Sequence, residues 1–365
     1  MTCHPNSDRV FVIAEAGVNH NGEADKAFAL IDVAAEAGVD AVKFQTFKAS
    51  KLVTRSAAKA AYQADATGAA ESQLQMLQRL ELSLELHHQL KRHAEQCGLV
   101  FLSTAFDPDS LAFLVHELGL RTLKIPSGEL TNGPFLLEHA RTGCERLLVS
   151  TGMATLGEVE QALQVIAFGL IEPKAQPTCR SFVQAYASPE GRAALRQRVV
   201  LLHCTSEYPA VPETVNLRAM DTLAQSFQLP VGYSDHTQGI AITTAAAARG
   251  ACVIEKHYTL DRRLPGPDHK ASLEPDELKA MVQAIRTVER CLGDGSKRPQ
   301  PGEVEIARVA RKSLVAADPI AEGEPFSEAN LGTLRPGDGR SPMDYWRLLG
   351  KPADRAYQQG EAIGD

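Results

Sequence analysis

The chain has 365 residues, 44% hydrophobic, 23% charged and 5% aromatic, which is globular usage and excludes a disordered chain. Lys plus Arg number 38 against 45 Asp plus Glu, a formal charge of −7, so nucleic acid is not expected as a partner and an anionic ligand needs a local cluster of cations. No apolar run approaches the roughly 20 residues that cross a bilayer, residues 1–6 lack a signal-peptide pattern, and the seven cysteines form no CxxC pair, so a cytoplasmic, reducing setting without membrane association is expected.

Eight β-rich runs follow one another: 11–17 (FVIAEAG), 41–46 (AVKFQT), 100–106 (VFLSTAF), 122–129 (TLKIPSGE), 147–152 (LLVSTG), 199–209 (VVLLHCTSEYP), 230–236 (PVGYSDH) and 252–257 (CVIEKH). Segments of helical periodicity separate them, such as 25–37, 86–97, 156–168 and 241–249, several closed by Gly. The alternation predicts a parallel (β/α)8 TIM barrel over residues 1–293, with a doubly wound open sheet as the alternative. Two insertions interrupt it, 51–84, which carries the helix-like run 71–82, and 172–198, which is polar and Pro-bearing at its start. After a helix over 274–292 comes a Gly/Pro/Lys stretch, read as a linker over 294–306. Residues 307–365 break the rhythm and are expected to form a small β-rich domain.

Active sites of such barrels sit at the C-terminal ends of the strands, so the polar residues closing the eight runs should converge. Lys43 and Lys124 can pass their stems through apolar packing and present ammonium groups at the top. With the hydroxyls of Thr104, Ser127, Ser150, Ser206 and Ser234 they suit a phosphate or carboxylate. His236 and His257 end consecutive strands and could share one divalent ion, with Asp235 and Glu255 close by. Each also has a structural reading: strand-borne Lys and Glu pair to join strands, serines cap helices, and histidines hydrogen-bond within cores.

The runs AEAGVNHNG (14–22), VKFQTFK (42–48), KIPSGE (124–129), STGMAT (150–155), HCTSEYP (203–209), GYSDHT (232–237), EKHYTLD (255–261) and PGPDHKASLEPDEL (265–278) together resemble the sialic acid synthase family. ARKSLVA (310–316) and LRPGDGRSPMDYWRLLGK (334–351) resemble its C-terminal antifreeze-like SAF module, a β-clip fold. The resemblance implies an enzyme that joins phosphoenolpyruvate to an N-acetylated amino sugar, releasing phosphate and giving a nine-carbon 2-keto acid. It implies phosphoenolpyruvate contacts for Lys43, Thr104, Lys124, Ser127, Ser150, Ser206 and Ser234, and Mn2+ or Mg2+ on His236 and His257. It implies sugar contacts for Glu15, Gln45, Tyr208 and Asp268, and a proton shuttle at Glu129, with Glu15 and His236 also catalytic. Arg335 is expected to reach the N-acetyl group in the other subunit of a domain-swapped homodimer. Two motif positions depart from the family pattern, Ser206 where some members have Asn, and Pro126 where a small residue is seen. The acceptor is expected to be N-acetylmannosamine, with a 2,4-diacetamido-6-deoxy hexose, for legionaminic-type products, as the alternative. Other readings are a related barrel using a sugar phosphate, a metal-dependent isomerase or aldolase, and a glycan- or ice-binding protein.

Overall fold

Period-two alternation along eight parallel strands builds the first unit, Met1–Gly293, of a computed structural model that describes residues 9–68 and 71–364. The strands are β1 (Phe11–Gly17), β2 (Ala41–Thr46), β3 (Val100–Ala105), β4 (Thr122–Ile125), β5 (Arg146–Ser150), β6 (Val199–Cys204), β7 (Val231–Asp235) and β8 (Val253–His257). They form a closed barrel in chain order, β1 pairing with β8 as well as β2, so the TIM barrel is confirmed and no sheet edge is left open. The fourth run is shorter than expected because Pro126 cannot donate to the ladder; Ser127–Glu129 becomes a 3-10 turn. The sixth likewise ends at Cys204 rather than Pro209.

The helices of this unit are α1 (Ala24–Ala37), α2 (Ala49–Leu52), α3 (Ala61–Thr67), α4 (Gln73–Leu80), α5 (Leu84–Gln96), α6 (Pro108–Ala112), α7 (Gly133–Arg141) and α8 (Leu156–Ile171). They continue with α9 (Cys179–Ala187), α10 (Pro189–Arg198), α11 (Pro212–Val215), α12 (Ala219–Phe227), α13 (Ala241–Ala248) and α14 (Pro275–Leu292). Helix α1 turns Ala27, Leu30, Ile31 and Ala34 inward at helical spacing, and Gly38, at φ 77°, closes it by donating to the Ala34 and Ala35 carbonyls. The insertion after β2 folds into α2, α3 and α4, the last begun by a capping box between Ser72 and Gln75. The insertion before β6 forms α9 and α10, started by Thr178 and Ser188 caps.

The second unit, Asp294–Asp365, opens with α15 (Pro301–Ala310), so residues expected to link the units include helix. Pro301 stands in its first turn and Gln300 and Glu303 form its capping box. Regular strand is limited to an antiparallel pair, β9 (Ser313–Ala316) with β10 (Leu331–Leu334), supplemented by single bridges such as Ile320–Tyr357. A short helix, α16 (Tyr345–Leu348), adds Leu348 to a core with Leu314, Phe326, Leu331 and Ile363.

Among the described residues, no helix is long and apolar enough to cross a membrane. Among the described residues Cys97, Cys144, Cys179, Cys204 and Cys291 are free; Cys3 and the expected absence of a signal peptide at residues 1–6 lie outside the described residues.

Candidate active site

The barrel interior is stacked by side-chain register. Ile13, Ala41, Leu102, Leu148, Val200, Leu202 and Val253 form an apolar plug inside the strands. Two residues further along the same inward faces come Glu15, Lys43, Thr104, Ser150, Cys204 and Glu255; Lys124 reaches the same layer from β4 and Ser234 from β7. Another two residues on, Gln45 and His257 stand at the rim. Strand pairing sets Glu15 beside both Lys43 and His257, Thr104 beside Lys124, and Ser234 beside Glu255.

The ionic layer is a buried quartet. Lys43 Nζ lies 2.6 Å from Glu15 Oε2 and 3.6 Å from Glu255 Oε2, and it donates to Thr104 Oγ1 at 2.8 Å. Lys124 Nζ donates to Glu255 Oε1 at 2.6 Å, and Ser234 Oγ donates to the same oxygen at 2.8 Å. Burial works to raise the Glu255 carboxyl, but Lys124 and Lys43 overcome it and hold the group far below the usual range. Glu15 goes the other way, pushed up to about 7 by burial and by the Glu255 charge against the pull of Lys43. For Lys43, burial is outweighed by its two carboxylates, so the ammonium is held above its ordinary value. The cluster of cations required in an acidic protein is therefore present, and each cation is matched by a carboxylate when all four ionise. Ser150 Oγ is buried and finds no hydrogen-bond partner among the described residues.

His236 and His257 face each other with ring centroids 5.6 Å apart. His236 Nδ1 donates to the Thr205 carbonyl at 2.7 Å, which leaves Nε2 as its free ligating nitrogen. His257 Nδ1 is buried and has no hydrogen-bond partner among the described residues. Burial brings His236 down to about 4 and holds His257 well below its ordinary value, so both imidazoles are neutral, the form that binds a metal. These donors fit a divalent ion. Asp235 faces out of the barrel, paired with Lys256 at 2.6 Å and accepting from Tyr233 Oη and the Thr237 backbone, so it fastens the turn that carries His236. A separate partly exposed grouping of Asp32, His93 and Cys97 sits on α1 and α5, in the helical layer outside the barrel.

A cavity of about 300 Å³ collects Glu15, Lys43, Gln45, Thr104, Lys124, Ser127, Ser150, Ser206, Tyr208, Ser234, His236 and His257. A second, of about 270 Å³, opens beside it through the shared walls Gln45, Tyr62, Tyr208 and His257, and contains Asp268. Tyr208 lies over His236 with ring centroids 4.1 Å apart, and Tyr62 of α3 stacks on Tyr208 at 5.1 Å. A larger hollow, about 690 Å³, lies between the loops after β5 and β6; its charged lining, Glu207 and Arg218, is exposed, so size does not locate the chemistry.

Two expected residues stand apart. Glu129 is half-buried, accepts from Asn132 Nδ2 at 2.7 Å and lines neither of the two adjoining cavities. Arg335 follows β10 in the second unit and is exposed. The strand-end reading placed Glu255 at the rim as a neighbour of the ion but not as the partner of Lys43 and Lys124, and it left out Tyr62 from the insertion. The i, i+2 spacing of Glu255 and His257 on one strand was the available signal for the first.

Comparison with known proteins gives the same organisation. Residues 30–297 match the model of the NeuB family and 311–365 that of the SAF domain. The chain is 49% identical over 355 residues to the N,N'-diacetyllegionaminic acid synthase of Campylobacter jejuni, covering 97% of this chain and 99% of that protein. It is 45% identical over 363 residues to the protein of the same name from Legionella pneumophila, covering 100% and 94%. Among solved structures, the N-acetylneuraminic acid synthetase of Leptospira borgpetersenii in complex with citrate superposes with a TM-score of 0.67 at 32% identity, over 82% of this chain and 90% of that one. With a closed barrel, a terminal SAF domain and matches across nearly its whole length, the chain belongs to the NeuB family of sialic acid synthases.

Proposed function

We propose that the protein condenses phosphoenolpyruvate with a 2,4-diacetamido-6-deoxy hexose, releasing phosphate and giving an N,N'-diacetyllegionaminic acid-type product. The observation that carries the acceptor is identity: 49% and 45% to two enzymes of that name, against 32% to a sialic acid synthetase. N-acetylmannosamine, first in the reading of the sequence, becomes the alternative.

Lys43 and Lys124 hold the carboxylate and phosphate of phosphoenolpyruvate, helped by Thr104, Ser127, Ser150, Ser206 and Ser234. Their buried setting strengthens each contact relative to water. His236 and His257 hold Mn2+ or Mg2+, which when bound supplies Lewis-acid polarisation of the sugar aldehyde. Gln45, Tyr208 and Asp268 orient the open-chain sugar, and Arg335 reaches its acetamido group in the opposite site of a domain-swapped homodimer. A bond forms between C3 of phosphoenolpyruvate and the aldehyde carbon, whose oxygen takes up a proton. Water adds at C2 and loses one proton, and the C2 hydroxyl so formed gives up its second proton as the C2–O bond to phosphate breaks, leaving the keto group and hydrogen phosphate. Glu15, with a pKa near 7 inside the cavity, exchanges these protons. That role was expected at Glu129, which lies outside the cavity.

Incubation with phosphoenolpyruvate, Mn2+ and each sugar, followed by phosphate assay and product mass, tests the reading. Turnover with N-acetylmannosamine and none with the diacetamido sugar overturns the acceptor; no phosphate release with any sugar overturns the reaction.

A further inference from the structure

The insertion between β2 and α5 supplies a patch of apolar wall that the condensation chemistry leaves unused. The second cavity has two unlike ends. Toward the histidines it offers Gln45, Tyr208 and Asp268; away from them it is walled by Leu52, Val53, Met76 and Leu77. These last residues belong to residues 49–80, and all but Val53 join Val18, Phe47 and Leu80 in an apolar cluster separate from the barrel core. Gln63 and Gln73 also line the cavity, their side-chain amides 3.5 Å apart. Among the described residues, no lysine or arginine does.

We propose that residues 49–80 are the specificity-determining segment for the acceptor: Leu52 and Leu77 receive a C6 methyl group, and the Gln63 and Gln73 amides read a C4 acetamido group. This rests on the condensation reading above. With its aldehyde carbon at the histidines, an open-chain hexose runs its hydroxyls past Asp268 and Tyr208, and C6 comes last, at the apolar wall. A methyl there is buried favourably. A hydroxyl set against Leu52, Val53, Met76 and Leu77 gives up water for an apolar wall, and a phosphate would enter a cavity whose fixed charge is the Asp268 carboxylate. The acceptor is thus uncharged and deoxygenated at its far end. A carboxamide, with one acceptor and two donors, complements an acetamido group better than it does a hydroxyl.

The test compares kcat/KM for three acceptors: the 2,4-diacetamido-6-deoxy sugar, N-acetylmannosamine and its 6-deoxy analogue. The unmodified protein should favour 6-deoxy over 6-hydroxy by roughly 10- to 100-fold, the range an apolar pocket supports. Leu77→Gln and Leu52→Asn, both at half-buried positions, should shrink that ratio to about threefold or less, with KM for phosphoenolpyruvate unchanged. Gln63→Leu should lower the preference for the diacetamido sugar and spare the C6 preference. A C6 ratio near one in the unmodified protein, or one that ignores both leucine substitutions, overturns the assignment. If no sugar supports phosphate release, the reaction reading fails, and the same ratios measured by calorimetry of sugar binding decide the pocket on their own.

Discussion

Asp268→Asn separates the binding role of this carboxylate from its structural cost. Asp268 is 7% exposed, and its side chain receives no hydrogen bond among the described residues. Burial alone raises its pKa from 3.8 to about 6. Two units correspond to about 3 kcal/mol, an upper bound on what the ionised form costs the folded protein. The sign follows from proton binding. The unfolded chain releases this proton near pH 3.8 and the folded chain near 6, so the penalty is absent below the first value, grows between them and is constant above the second. Asn cannot ionise and escapes it. The melting temperature of the substrate-free variant should therefore exceed that of the unmodified protein by roughly 2–6 °C at pH 7.5, the gap closing toward pH 4. The same substitution should raise KM for the sugar about tenfold or more while KM for phosphoenolpyruvate holds, because a carboxylate without protein donors is free for the acceptor's hydroxyls. Scanning fluorimetry across pH and steady-state kinetics measure both. A melting gap equal at pH 4 and 7.5, or an unchanged sugar KM, refutes the reasoning.

Gly152→Ala would bring a methyl 2.4 Å from Ser206 Oγ and 2.7 Å from both Cys204 Sγ and Ser127 Oγ, so KM for phosphoenolpyruvate should rise about tenfold with an unchanged circular-dichroism spectrum. Lys256→Met leaves Asp235 buried without its cation and should cost about 3–5 kcal/mol in denaturant titration. The loosened turn at His236 should also weaken Mn2+ binding about tenfold or more in calorimetry. Burial lowers His139 from 6.5 to about 4, so stability present above pH 6.5 is lost as pH falls toward 4; His139→Gln should flatten that acid slope in melting curves.

The eight strands were legible because each is buried on both faces and reads as a short Val/Leu/Ile-rich run ending in polar residues. Where a run continued in apolar or small residues past its ladder, as at Pro126, the end was overestimated. The lysines and histidines could be named from strand ends, since inward register carries them to one rim. Which carboxylate partners which lysine could not be named, because Lys124 and Glu255 stand 131 residues apart and meet only when the barrel closes. Helix α15 was hidden by its Gly/Pro/Lys surroundings although its Gln300–Glu303 box was present in the sequence. Tyr62, Gln63 and Gln73 were invisible as site residues for a different reason: short helices in an insertion acquire their position from what they pack on, as α4 does through Met76 and Leu80 on Phe47 and Val18.

The small apolar cluster beneath residues 49–80 does not share its members with the main core. Changes of side chain there draw on a separate and modest reserve of packing, so the scaffold can trade one sugar for another without loosening the strands that carry its ions.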